Sequence, residues 1–158
     1  MPADGDVAPE FTAPLATGDI ESFSLSDALE HGPVVLAFFP GAFTSVCSHE
    51  ISAFDDRLGE FEDAGAQVVG VSRDTPFSLN EFRQELGVAV DLASDLNRDA
   101  IEEYGIEMDF DELGVYGVAK RSVFVVDTDG EIAYEWVSDD PGVEPDYDEV
   151  LAAVEDLD

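Results

Sequence analysis

The stretch VVLAFFPGAFTSVCSHE, residues 34–50, predicts a buried strand that turns into a helix. Residues 34–39 form a continuous apolar run, which is typical of a strand covered on both faces in a central parallel sheet. From Thr44 to about Asp63, apolar side chains recur at helical spacing. Cys47 falls in the first turn of this helix. Unpaired backbone N–H groups and the positive end of the helix dipole meet there, and both favour a thiolate.

The sequence beyond this stretch predicts alternating strands and helices, followed by a hairpin. Strands are predicted over residues 67–72, 88–92, 122–127 and 131–137, and the last two are joined by a Thr-Asp-Gly hairpin turn. Helices are predicted over residues 26–30, with Ser26 as N-cap, and over residues 74–86, 97–104 and 145–157. Residues 7–25 are predicted to be extended pieces with turns, and residues 105–120, with three glycines and little periodicity, a loop.

This element order predicts an α/β protein with a thioredoxin-like fold. The central sheet is expected to be mixed, with helices on both faces and an N-terminal extended segment, all in one domain over residues 1–158. Right-handed crossovers connect the parallel core, and the hairpin supplies an antiparallel edge. Ligand sites in such sheets lie at the carboxyl ends of strands, where Cys47 falls.

The charge balance is extreme. Asp and Glu number 38 against 6 Lys and Arg, a formal net charge of −32, while 45% hydrophobic residues are enough for a core. Self-repulsion at this density is relieved by salt, so we expect a protein adapted to a very salty cytoplasm, as in halophiles. An acidic nucleic-acid mimic and a partner for a basic protein are the alternatives. Without a basic patch, binding to nucleic acid or to an anionic membrane is disfavoured.

The location predicted from the sequence is cytoplasmic. The first six residues, MPADGD, have neither the charged nor the apolar region of a secretory signal. No apolar run approaches the roughly 20 residues that span a bilayer. With one cysteine, an intrachain disulfide is excluded.

Pro40, Thr44 and Cys47 have the spacing Pro-x-x-x-Thr-x-x-Cys, which resembles the peroxidatic signature of the peroxiredoxins. The wider run is similar to the one-cysteine branch that contains the bacterioferritin-comigratory and alkyl hydroperoxide reductase E-like proteins. Residues 5–11, 71–74 and 121–130 support the resemblance less specifically. The sequence lacks the resolving cysteine of two-cysteine members and the long C-terminal extension of the larger one-cysteine enzymes.

The resemblance implies a role for five residues. Cys47 attacks the peroxide, while Thr44 and Arg121 hold it. The Pro40 ring shields the thiolate from water, and Glu50 pairs with the active-site arginine to orient it. Each residue also has a plainer interpretation. Cys47 would be a buried inert thiol, Thr44 a helix N-cap and Arg121 part of a surface ion pair. Pro40 would end a strand, and Glu50 would be a surface acid.

Other chemistries find little support in the sequence. His49 lies two residues from Cys47, roughly 200° away around a helix, so a Cys–His hydrolase is disfavoured. Glu50, three residues after Cys47, shares its helix face. No cluster of thiols, histidines or carboxylates suggests a metal, and no glycine-rich phosphate loop suggests a cofactor, so neither is expected.

The resemblance therefore implies a thiol-dependent peroxidase that reduces hydrogen peroxide or small organic hydroperoxides. Its Cys47 sulfenic acid would be resolved by an external thiol, either a small thiol or a thioredoxin- or glutaredoxin-like protein. A homodimer is expected, with Phe43, Phe77 or residues 105–120 near the contact. Two alternatives stay open: a peroxide sensor that relays oxidation to a partner protein, and a non-catalytic thioredoxin-like interaction domain.

Overall fold

The computed structural model describes residues 1–157, so Asp158, the last residue of the predicted domain, lies outside the described part. The strands are β1 (Thr12–Ala16), β2 (Ile20–Ser24), β3 (Val34–Phe38), β4 (Gln67–Ser72), β5 (Asp91–Ser94), β6 (Glu107–Phe110), β7 (Val115–Ala119), β8 (Ser122–Val126) and β9 (Ile132–Val137). The α-helices are α1 (Leu25–Leu29), α2 (Ser45–Asp56), α3 (Leu58–Asp63), α4 (Pro76–Leu86), α5 (Asp99–Glu103) and α6 (Tyr147–Glu155).

Seven of these strands form one mixed sheet in the order β2-β1-β5-β4-β3-β8-β9. The central strands β3, β4 and β5 are parallel, whereas β1 and β8 join them antiparallel on either side. Leu36, at the middle of β3, is paired with Val69 on one side and with Phe124 on the other. The predicted mixed sheet with a parallel centre and an antiparallel hairpin edge is confirmed.

Helices cover both faces of the sheet, as predicted. Every residue of β3 is fully buried, because its side chains alternate between two apolar clusters. Val35 and Ala37 pack with α2, α3, α4 and α6, while Leu36 and Phe38 pack on the opposite side with α1 and α5. Within residues 1–157, no helix combines the length and the apolar character needed to cross a membrane.

The N-terminal segment is more regular than predicted. Strands β1 and β2 form an antiparallel hairpin, and β1 pairs with β5, so this segment extends the main sheet. The prediction of Ser26 as N-cap of the first helix is wrong. Ser24 is the N-cap, since its side chain accepts from the Asp27 N–H, and Ser26 lies inside the helix.

The helix predicted from Thr44 to Asp63 is broken into α2 and α3. Arg57 leaves the helical conformation, with φ −106° and ψ 6°. Apolar spacing could not reveal the break, because Phe54 and Phe61 on either side of it still pack together, with ring centroids 6.0 Å apart.

The strand predicted over residues 88–92 begins three residues later, at Asp91. The Arg83 side chain explains the shift, because it donates to the carbonyl oxygens of Val90 at 2.8 Å and Ala89 at 3.2 Å. The helix predicted over residues 97–104 is shorter, Asp99–Glu103, and follows Arg98 in a left-handed conformation with φ 63°.

The loop predicted over residues 105–120 is wrong. Strands β6 and β7 form a separate antiparallel hairpin, joined by a short 3-10 turn over Asp111–Leu113. The strands are only four and five residues long, and although β6 alternates polar and apolar side chains, β7 does not. Gly114 ends the turn with φ 67°, which explains one of the glycines that suggested a loop.

The predicted C-terminal elements are present with small shifts. Strands β8 and β9 form the predicted hairpin and pair antiparallel, with a shift of register between Val125 and Val126. The last helix runs over Tyr147–Glu155 rather than from residue 145, because Asp146 is its N-cap and accepts from the Glu149 N–H.

Candidate active site

The loop over residues 40–44 connects the end of β3 to the start of α2 and carries the predicted site. Its position is fixed from the neighbouring strand, since the Ala42 N–H donates to Asp74 Oδ2 at 2.8 Å. The Ser72 hydroxyl donates to the same oxygen at 2.6 Å. Asp74 was not among the predicted site residues. The only sequence signal for it was the supporting match of residues 71–74 to the peroxiredoxin pattern.

Phe43, in the same loop, adopts a left-handed backbone with φ 67°. This conformation costs a non-glycine residue about 1–2 kcal/mol. The ring packs edge-on against Phe82 of α4, with centroids 5.2 Å apart, and remains 54% exposed. Tertiary contacts therefore hold the loop in a shape that its residues do not prefer.

Cys47 is the third residue of α2 and is only 1% exposed. The first N–H groups of a helix have no intrahelical partner, so the sulfur lies at a donor-rich end of α2. Arg121 Nη2 donates to Cys47 Sγ at 3.2 Å, across 74 positions of sequence. The thiol thus faces both the helix terminus and a guanidinium.

Arg121 immediately precedes β8 and is 1% exposed. Its Nη1 donates to Glu50 Oε1 at 2.6 Å. Its Nε and Nη2 donate to the Pro141 carbonyl oxygen at 3.1 and 3.0 Å. The guanidinium is therefore held from two sides, with Nη2 shared between Cys47 and Pro141. Nothing in the sequence indicated the carbonyl of Pro141.

Burial and the neighbouring charges shift the pKa values of Glu50 and Arg121 in opposite directions. Burial raises the pKa of Glu50 to about 7, although Arg121 opposes the rise. Burial lowers the pKa of Arg121, but Glu50 and Cys47 raise it, and the net shift is upward. Glu50 Oε2 is buried without a hydrogen-bond partner among the described residues. The arginine thus stays charged, while the charge of Glu50 depends on pH near neutrality.

Thr44 is the N-cap of α2 by backbone conformation, with φ −92° and ψ 151°, but its side chain accepts no capping bond. Its hydroxyl instead donates to the Gly41 carbonyl oxygen at 3.0 Å. The hydroxyl proton is therefore occupied in this state, while the oxygen keeps lone pairs that can accept.

Four of the five predicted site residues line one cavity of about 360 Å³: Pro40, Thr44, Cys47 and Arg121. Glu50 does not line it and contacts Arg121 from within the protein. The opposite wall comes from the β6–β7 hairpin, in the segment predicted to be a loop. The cavity lies beside residues 40 and 41, which follow the carboxyl end of β3.

His49 is directed elsewhere. Its Nδ1 lies 2.7 Å from Glu144 Oε1, and its side chain is 72% exposed. The Tyr147 hydroxyl donates to the same carboxylate oxygen at 2.6 Å. This network ties α2 to the segment before α6, and it gives no support to a Cys–His hydrolase.

Comparison with known proteins agrees with this fold. The AhpC/TSA family model matches residues 5–135. YkuU of Bacillus subtilis, whose name assigns it to the peroxiredoxins, is 36% identical over 163 residues, which cover 97% of this chain and 87% of that protein. Thiol peroxidase of Mycobacterium tuberculosis is 33% identical over 155 residues, covering 98% and 89%. The crystal structure of peroxidoxin BcpB from Mycobacterium tuberculosis is similar with a TM-score of 0.85 and 30% identity, covering 100% of this chain and 99% of that one.

The thioredoxin-like fold and the relatives named peroxiredoxin and thiol peroxidase define this chain as a thiol-dependent peroxidase. The chain belongs to the AhpC/TSA family, the peroxiredoxins. The membership in the peroxiredoxins that the Cys47 motif predicted is therefore confirmed.

Proposed function

We propose that this peroxidase works by a one-cysteine mechanism centred on Cys47. The observation that carries the proposal is the 3.2 Å contact from Arg121 Nη2 to Cys47 Sγ, beside a cavity that can admit a peroxide. A guanidinium at this distance stabilises negative charge on the sulfur and on the oxygen that leaves.

The reaction begins with the Cys47 thiolate, whose proton has passed to solvent. The sulfur attacks the terminal peroxide oxygen, so an S–O bond forms as the O–O bond breaks. Sulfur loses two electrons and becomes the sulfenic acid, while the departing hydroxide or alkoxide gains them and takes up a proton. An external thiol then attacks the sulfenic sulfur with loss of water, and a second thiol releases Cys47 from the mixed disulfide.

The remaining residues assist this step. Arg121 binds the peroxide with its fork of donors, and Thr44 accepts from the peroxide O–H or, after rotating away from Gly41, donates to it. Pro40, which has no N–H to attract water, covers the thiolate. Glu50 fixes the orientation of Arg121 through their 2.6 Å contact.

An external reductant follows from the presence of one cysteine in the sequence. We propose a small thiol or a thioredoxin- or glutaredoxin-like protein in this role. A homodimer is supported by two exposed aromatic side chains, Phe43 on the active-site loop and Phe77 in the first turn of α4, which are 54% and 69% exposed. The proposed cytoplasmic location rests on the sequence and on relatives from bacteria.

The test is the second-order rate constant for oxidation of Cys47 by hydrogen peroxide, followed by Trp136 fluorescence or thiol titration in molar salt. We expect a rate orders of magnitude above that of free cysteine, and none in Cys47→Ser. Arg121→Lys should be slower by about a hundredfold or more, because lysine keeps the charge but loses the fork. Arg57→Lys, at an arginine that pairs with Asp148 outside the site, is the matched control and should behave as wild type.

A rate like that of free cysteine in folded protein would contradict the proposal and favour the interaction domain. Fast oxidation with slow turnover by every small thiol would favour the peroxide sensor. Light scattering in molar salt measures whether the protein is a homodimer. The double variant Phe43→Ser, Phe77→Ser should shift the equilibrium from dimer toward monomer.

A further inference from the structure

The segment over residues 138–144 lies between β9 and α6 and closes over Arg121. The Ser138 N–H donates to the Arg121 carbonyl oxygen at 2.9 Å. The Arg121 side chain donates in turn to the Pro141 carbonyl oxygen, from Nε at 3.1 Å and from Nη2 at 3.0 Å. Pro141 also lines the cavity beside the thiol. This short segment, the 138–144 segment, therefore contacts both the backbone and the guanidinium of the arginine that faces the thiol.

The Pro141 carbonyl helps to determine where the guanidinium of Arg121 points. A guanidinium has five N–H bonds in one plane. Two of them are directed at Pro141, one at Cys47 and one at Glu50, so four of the five are engaged. Without the Pro141 carbonyl, the edge formed by Nε and Nη2 would lose its fixed acceptor, and Nη2 could move away from Cys47.

The position of Pro141 is set by hydrogen bonds within the segment rather than by a strand or a helix. Asp140 Oδ1 accepts from the Gly142 N–H at 2.9 Å, and the Asp140 carbonyl oxygen accepts from the Val143 N–H at 3.2 Å. The Ser138 hydroxyl donates to the same carbonyl oxygen at 2.8 Å. These bonds form a compact turn, so a movement of either end of the segment also moves Pro141.

Glu144 anchors the far end of the segment to α2. Its Oε1 accepts from the Tyr147 hydroxyl at 2.6 Å and lies 2.7 Å from His49 Nδ1, and its Oε2 lies 2.9 Å from the same nitrogen. His49 is on α2, two residues after Cys47. The Tyr147 ring packs edge-on against Phe54 of the same helix, with centroids 5.1 Å apart. The carboxylate thus joins the segment to the helix that carries the thiol.

The contacts of Glu144 keep its carboxyl ionised. Burial raises the pKa of this carboxyl, but the hydrogen bonds from Tyr147 and His49 lower it, and the net shift is downward. Burial and the contact with Glu144 both raise the pKa of Tyr147, so its hydroxyl keeps the proton that it donates. The anchor is therefore a charge-assisted hydrogen bond, which is stronger than one between neutral groups.

We infer that Glu144 is a positioning residue for the reaction at Cys47. It acts through the 138–144 segment, because the anchor on α2 fixes the Pro141 carbonyl, and this carbonyl holds the guanidinium of Arg121 against the sulfur. Glu144 touches neither the thiol nor the peroxide. The inference rests on the proposed function of Cys47.

The experiment measures the second-order rate constant for oxidation of Cys47 by hydrogen peroxide in molar salt. Glu144→Ala removes the anchor and should slow the reaction about tenfold, since a small misplacement of a catalytic group is costly. Glu144→Gln keeps an oxygen that can accept from Tyr147 and should retain most of the wild-type rate. Glu149→Ala is the matched control and should react as wild type, because Glu149 is an exposed acid of α6 that accepts from the hydroxyl of Tyr134 instead.

A second set of variants tests whether Glu144 acts through Arg121. In an Arg121→Lys background, Glu144→Ala should cause little further loss, whereas a general weakening of the fold would slow both backgrounds by the same factor. Tyr147→Phe is a milder variant that keeps the ring against Phe54 and loses only the hydroxyl. It should slow the wild-type reaction by a smaller factor and leave the Arg121→Lys rate unchanged, which tests the inference should Glu144→Ala prove unstable.

The inference is overturned if Glu144→Ala keeps the wild-type rate, or if it slows the reaction by the same factor in the Arg121→Lys background. A Glu144→Gln variant as slow as Glu144→Ala would also contradict it, because the carboxylate would then act by its charge and not by the hydrogen bonds that hold the segment. A wild-type protein in which Cys47 reacts no faster than free cysteine is a different result, since it contradicts the proposed function itself.

Discussion

Arg121 shows why the chain has a buried ion pair beside its thiol. A buried guanidinium without a partner is costly, and Glu50 offsets that cost while also limiting the rotation of the side chain. Lysine at this position would keep the charge but could not donate to Cys47, Glu50 and Pro141 from one planar group. The position therefore requires the geometry of arginine as much as its charge.

Glu50 leads to a pH prediction at the residue scale. As the pH falls through about 7, the folded pKa of Glu50, its carboxylate takes up a proton and its ion pair with Arg121 is lost. The rate constant of Cys47 oxidation should therefore fall on the acid side of pH 7. In Glu50→Gln this inflection should be absent, and the rate at pH 8 should be lower by up to about a hundredfold, the cost of a misplaced catalytic group.

Stopped-flow oxidation by hydrogen peroxide between pH 5 and 9 measures this dependence. Glu60→Gln, at an exposed acid of α3, is the control and should keep the wild-type profile. An inflection near pH 7 that persists in Glu50→Gln would assign it to another group and contradict the prediction.

At the scale of elements, α2 approaches the sheet closely at Gly70 of β4. A Cβ at this position would lie 2.6 Å from Leu92 Cδ2 and 3.1 Å from Ile51 Cδ1. Ile51 lies on α2, four residues after Cys47, so Gly70 allows the helix that carries the thiol to rest on the sheet. The glycine is required here by close packing, not by its backbone angles.

Gly70→Ala should therefore overpack the contact between α2 and the sheet. We expect a loss of about 1–3 kcal/mol in the free energy of unfolding, measured by denaturant titration in molar salt. The matched control is Gly59→Ala in α3, where an added Cβ meets nothing within 4 Å. That variant should be stabilised by about 0.5–1 kcal/mol, because alanine has the higher helix propensity. Equal stability of the two variants would contradict the role given to Gly70.

At the scale of the whole molecule, the acidic residues far exceed the cations available to pair with them. Six Lys and Arg face 38 Asp and Glu, so most carboxylates have only solvent and salt as counter-charge. One cluster on the surface joins Glu60 and Asp63 of α3 to Glu155 of α6, and none of the three forms an ion pair among the described residues.

We predict that the melting temperature rises with salt, by about 10 °C or more between 0.1 and 2 M KCl. Over this range the Debye length shrinks from about 10 Å to below 3 Å, which screens the repulsion. Replacing Glu60 and Glu155 by Gln and Asp63 by Asn should raise the melting temperature at low salt and reduce its salt dependence. A melting temperature that is independent of salt, or a triple variant with the wild-type slope, would contradict the prediction.

The sequence by itself determined the features that depend on local pattern. The apolar run of residues 34–39 predicts a strand buried on both faces, and β3 is such a strand. The placement of Cys47 in the first turn of a helix follows from the residues beside it, as does the β8–β9 hairpin. The helix predicted over residues 74–86 is also present, although it begins at Pro76 with Thr75 as its N-cap. The family likewise followed from a motif only eight residues long, Pro40 to Cys47.

Only the tertiary structure decided which distant residues meet. Arg121 contacts Cys47, 74 positions earlier in the sequence, because β8 pairs with β3. Asp74 accepts from Ala42, 32 positions earlier, because β4 also pairs with β3. The hairpin of residues 105–120 and the break at Arg57 were not predicted either. The alternation of β6 covers only four residues and does not continue in β7, and the apolar spacing continues across the break. Periodicity reports which face of an element is buried, whereas strand order and packing determine what it is buried against.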